Sequence, residues 1–79
     1  MATKPKPPSW EERAKRLIKA ELARADVGYR ELAERLEKHG LRETEASIAN
    51  KISRGTFSAT FLLAVLIAIE ADVVRLETV

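Results

Sequence analysis

Apolar residues along this chain recur at three- and four-residue spacing and never alternate over a sustained stretch, so the pattern predicts helices and no strands. The first stripe is Trp10, Ala14, Leu17, Ile18 and Leu22, with Arg13, Lys15, Arg16 and Lys19 on the other faces. It predicts a helix from an N-cap at Ser9 to about Ala25, with Glu12 three residues on as the second half of a capping box. "ADVG" then turns the chain. Tyr29, Leu32, Ala33 and Leu36 form a second stripe, closed at His39-Gly40 with the glycine at C′ and Leu41 packing back. Thr44 is the expected N-cap of a third helix over about Glu45 to Ser53, with Ile48, Ala49 and Ile52 apolar and Gly55 as the stop. Ser58 caps a fourth, "ATFLLAVLIAIEA". The last segment, "DVVRLETV", is either a short fifth helix or a loose tail.

The expected class is therefore all-α, a bundle of four to five helices. Residues 1–8, "MATKPKPP", read as a mobile basic arm, and residues 9–79 as a single domain.

The fourth helix carries more apolar surface than one core face needs. Phe61, Leu62, Val65, Leu66 and Ile69 span an arc of roughly 140° at 100° per residue. Leu63 and Ile67 fall outside it, beside Thr60 and Ala64, and Val74 joins them if the helix continues. A helix apolar nearly all round is normally covered on both sides. A second copy is the economical cover, which makes those five residues the expected dimer interface. The alternative is that the C-terminal segment folds back over Leu63 and Ile67.

Composition narrows the chemistry. The 79 residues are 46% apolar and 33% charged, enough for one small core. There is no cysteine, which excludes disulfides, thiolate metal sites and cysteine nucleophiles. The longest apolar run, Phe61 to Ile69, is too short to cross a bilayer, and the chain reads as soluble and cytoplasmic with no membrane partner. The single histidine, His39, sits at a helix end where a cation offsets the dipole. "SRGTFS" has no phosphate-loop spacing, and no ligand set has zinc spacing. No enzyme activity, cofactor, metal or small-molecule substrate is expected. Trp10, Tyr29, Phe57 and Phe61 read as core anchors. Net charge is only +2, but residues 59–79 hold one arginine against Glu70, Asp72 and Glu77, so the positive excess lies in the front of the chain.

Two helices joined by a glycine-containing connector, then a long apolar helix, follow the helix-turn-helix order, in which the second helix of the pair enters the DNA major groove. "YRELAERLEKHG", "SIANKISRGTFS" and "TFLLAVLIAIEAD" are together similar to the Cro/C1-type (xenobiotic-response-element-like) repressor domain over about residues 29–72. "WEERAKRLIKAEL" and "ANKISRG.FS" further resemble a family of short bacterial proteins of unassigned function. The resemblance implies a lambda-repressor-like fold of five helices. The sequence departs from that pattern in a longer connector, "EKHGLRETE", and in Glu43 and Glu45, which would repel DNA beside the recognition helix.

On the third helix Ser47, Asn50, Lys51 and Arg54 are expected to face solvent, with Ala49 and Ile52 turned to the core. Ser47, Asn50 and Lys51 have the chemistry to read base edges. Arg54, Arg42 and Thr44, with Arg30 near the start of helix 2, suit phosphates, and Lys4 and Lys6 on the arm would add nonspecific affinity. Two functions from different classes follow. One is a transcriptional regulator that binds double-stranded DNA as a homodimer. The other is a protein-interaction or assembly module on the same fold that no longer binds DNA.

Overall fold

The computed structural model describes residues 7–79; the expected arm, with Lys4 and Lys6, lies outside them but for Pro7 and Pro8. Four α-helices follow in order: α1 (Trp10–Ala25), α2 (Tyr29–Lys38), α3 (Glu45–Arg54) and α4 (Ala59–Ala68), then a short 3-10 turn, Leu76–Thr78. No strand occurs among the described residues.

Side chains at the caps set where the helices begin. The Ser9 hydroxyl accepts the Glu12 N–H at 3.1 Å, but the Glu12 carboxylate turns to Lys15 instead, so this cap is one-sided. At α3 the capping box is complete and uses a serine in place of the usual Glu or Gln. The Thr44 hydroxyl accepts the Ser47 N–H at 3.0 Å, and the Ser47 hydroxyl accepts the Thr44 N–H at 2.9 Å.

Left-handed residues set where they end. Gly40, at φ 82°, donates to the Glu37 carbonyl while Leu41 donates to that of Leu36, the paired bonds of a Schellman motif. The same pair closes α4 around Glu70, at φ 59°, with Glu70 donating to Ile67 and Ala71 to Leu66. Helix α4 thus stops at Ala68, earlier than the sequence pattern predicts, and Val74 is not on a continued outer stripe of that helix.

Ile18, Leu32, Leu36, Ile48, Ile52 and Val65 are fully buried, and Leu22 and Phe61 pack with them. Helix α2 packs on α3 and α4, while α1 packs on α3 and the C-terminal turn. Arg35 ties α2 to the end of α4 by donating to the Ala68 carbonyl at 3.2 Å, and it also pairs with Glu31 at 2.6 Å. Helix α3 turns Ile48 and Ile52 to the core; Ala49 is only half-buried, so its inward face is rotated slightly from the expected one.

Trp10 corrects another expectation. It is 76% exposed rather than a core anchor, and the Arg13 guanidinium lies 4.7 Å from the centre of its ring. Phe61 is buried, with Phe57 tilted against it at 5.7 Å. The C-terminal turn goes to α1, not over α4, and leaves Leu63 58% and Ile67 52% exposed.

Candidate functional site

The candidate residues gather around the connector between α2 and α3 and the exposed side of α3. Glu43, one residue before the N-cap, organises them. Its carboxylate accepts a hydrogen bond from the Ser47 hydroxyl at 2.6 Å and an ion pair from the Lys51 ammonium. Ser47 and Lys51 are four apart on one side of α3, and Glu43, in the connector before the N-cap, reaches both. The Glu43 side chain is only 8% exposed, and Lys51 lies 5.0 Å from the centre of the Phe61 ring. Burial is the largest single influence on the Glu43 carboxyl and pushes its pKa up. The hydrogen bonds from Lys51 and Ser47 and the Lys51 charge together outweigh it, and the pKa lies below the ordinary carboxylate value.

This network divides the residues singled out from sequence. Ser47 is half-buried, with its one hydroxyl proton directed to Glu43 and its oxygen accepting from Thr44. The Thr44 hydroxyl is spent on the Ser47 N–H. Lys51 is held by Glu43. Among the described residues Asn50, Arg54 and Arg42 are exposed and hold no partner, and so is Glu45. Arg42, Thr44, Ser47 and Lys51 share an open cleft of about 720 Å³ with Glu37 and Glu43. Arg30 lies apart from it, on α2 beside Glu34 and Lys38.

The far end of α3 is fixed by main chain. Gly55, at φ 69°, brings its backbone against the first turn of α1, where an added Cβ would stand 2.2 Å from the Glu11 carbonyl oxygen. Residues 10–74 match the domain of unknown function DUF6471. The chain belongs to the DUF6471 family. That matched span takes in all four helices of this DUF6471 chain, the Glu43 network and every candidate residue from Arg42 to Val74. No curated protein and no solved structure matches it.

Along the described part of the DUF6471 chain, no three His, Cys, Asp or Glu residues are grouped to hold a metal ion, and no helix is long and apolar enough to cross a membrane. The dimer candidates Leu63, Ile67 and Thr60 are exposed on α4, with Ala64 half-buried between them and Val74 beyond the helix end. From the sequence alone Glu43 is a charge that suits the helix dipole and repels DNA. No local pattern marks its pairing with Ser47 and Lys51, because Glu43 lies outside α3, before the N-cap.

Proposed function

We propose that this chain is a small DNA-binding regulator in which α2 and α3 act as a helix-turn-helix and two copies meet through α4. The observation that carries it is Asn50 and Arg54, one turn apart on α3, both exposed and without a partner, with Arg42 unpaired just before the start of the same helix. Asparagine pairs bidentately with adenine, and arginine suits phosphate or guanine. Asn50 is the base reader in this proposal, with Arg54 and Arg42 on the backbone. Ser47, Thr44 and Lys51 hold the helix in shape. Lys51 also offsets the Glu43 charge, which leaves Glu45 as the carboxylate at the first turn of α3 without an ion pair. The likeness to the Cro/C1-type domain supports the same reading.

Fluorescence anisotropy with a random-sequence duplex tests it, at low and physiological salt. Binding in the micromolar range or weaker is expected, falling steeply with salt as counterions are released. Asn50→Ala/Arg54→Ala should weaken it. No binding at low salt would overturn the proposal.

One observation favours a second reading, a protein-interaction module on the same fold: Glu43 engages the Ser47 hydroxyl and the Lys51 ammonium, two groups that would otherwise be free to meet a duplex. A partner held on the Leu63 and Ile67 face would bind with little dependence on salt, and that separates the two.

A further inference from the structure

We infer that Ala46, in the first turn of α3, is a specificity-determining residue: its methyl group reads the 5-methyl of a thymine within two base pairs of the adenine held by Asn50. The inference deepens the DNA-binding proposal and rests on it.

Helix phase sets which side chains can reach a base edge. Asn50 is two residues from each of the buried Ile48 and Ile52, about 200° round from either, so it points directly away from the core. The surface to its two sides is unlike. Arg54, Ser47 and Lys51 lie to one side, at about 40°, 60° and 100° round the axis. Arg42 and Lys51 line one open cleft, and Lys51 and Arg54 line the next. This side therefore carries an arginine at each end, with Lys51 between them paired to Glu43. Ala46, Ser53 and Ala49 lie to the other side, the first two exposed and the third half-buried, with no charge and no long side chain. Glu45, the carboxylate a duplex would repel, stands about 140° from Asn50, beyond Ala49 and off this surface.

A duplex fits that division one way round. The side with an arginine at each end meets the phosphates of one strand, and the short side lies against the groove floor, where small side chains bring the helix close to the bases. Ala46 is one turn before Asn50, about 6 Å along the axis, and base pairs stack about 3.4 Å apart. With Asn50 on an adenine, the Ala46 methyl therefore comes within two base pairs of it. A methyl group has no hydrogen bond to offer. The apolar group it meets in the major groove is the thymine 5-methyl, and contact removes both from water.

Two measurements on the full chain decide it. In the first, duplexes are selected from a random pool. The selected sites should share an adenine and, at one fixed spacing of one or two pairs from it, an A·T pair. In the second, single atoms or groups of the selected duplex are removed and binding is followed by anisotropy. Uracil in place of that thymine lacks only the methyl group and should bind wild type about three- to fourfold more weakly. Replacing the adenine by 7-deaza-adenine removes the N7 acceptor and should weaken binding roughly fivefold or more.

The variants assign each effect to a residue. Ala46→Gly should bind the thymine and uracil duplexes alike and still discriminate against 7-deaza-adenine. Asn50→Ala should lose the second discrimination. Only the ratio between two duplexes is read, so a less stable α3 in Ala46→Gly does not blur the result, and Ala46→Ser serves as a milder second variant. Equal binding of the thymine and uracil duplexes by wild type, or a ratio that survives both Ala46 variants, overturns the inference. So does a selection that returns G·C pairs or no preference, and DNA binding itself then stands. If no duplex binds at low salt, the DNA proposal fails and the inference fails with it.

Discussion

Glu43 and Lys51, eight residues apart, form an ion pair in which the carboxylate side chain is nearly enclosed, at 8% exposed, and the lysine is open to water at 43%. The pair is built from the outside inward: the solvated partner gives up a ligand it exchanges easily, and the enclosed one depends on it. Removing Glu43 therefore differs from removing Lys51. Glu43→Gln keeps the shape, leaves Lys51 solvated and weakens the bond from Ser47. The expected cost is about 1 kcal/mol in urea unfolding, small because Lys51 is solvent-screened. Lys51→Met leaves a buried carboxylate with Ser47 as its remaining partner and should cost more. If the DNA proposal holds, Glu43→Gln also frees a lysine beside the duplex, and binding should tighten with a salt slope steeper by about one.

The same carboxylate gives the fold a dependence on acid. Its pKa is below the ordinary value of 4.5, so the folded state binds its proton less readily than the unfolded state does. The resulting stability is fully present above pH 4.5 and is lost as pH falls through the lower, folded value. Urea midpoints followed from pH 7 down to about 3 should fall more for wild type than for Glu43→Gln. Parallel curves would show that Glu43 contributes nothing to the acid transition.

Two glycines with left-handed backbones are predicted to respond differently to alanine. Gly40, at φ 82°, has open space around it, so Gly40→Ala carries backbone strain alone, about 1 kcal/mol. Gly55→Ala adds a collision with the Glu11 main chain and should cost at least twice as much, because neither backbone has a side chain to move aside. Equal thermal shifts for the two variants would contradict the close approach of α1 and α3.

Trp10 is the single tryptophan, and it is mostly in water. Its emission should be that of a solvated indole. Trp10→Ala should cost under about 1 kcal/mol, the size of an exposed cation–π contact with Arg13, where a buried tryptophan would cost about 3–5.

The first three helices were legible from a 3.6-residue stripe and the fourth from an apolar run behind a cap, and Ser9, Thr44, Ser58, Gly40 and Gly55 all sit at the helix ends they signal. Trp10 misled because it lies on the inward stripe of α1 by angle but in its first turn, and angle alone does not say whether another element reaches that far. The end of α4 was missed for a different reason. Glu70 takes the left-handed position usually given to glycine, so no residue type marked the stop. At the site, Asn50 and Arg54 were placed correctly in solvent, since exposure follows from helix phase. That Ser47 and Lys51 are occupied was not visible from phase, because their partner lies before the helix begins. The contact of Gly55 with Glu11 depends on how two helices cross, which no local pattern encodes.

That crossing also sets what spelling the chain tolerates. Gly28 has extended backbone and nothing within 4 Å, so its place admits most residues. Gly40 needs a left-handed backbone with room around it, which admits asparagine or aspartate at modest cost. Gly55 needs both the backbone and the missing carbon. Among descendants of this chain that keep α1 seated on α3, position 55 has an alphabet of one letter, and a drift there can be repaired only by moving a whole helix.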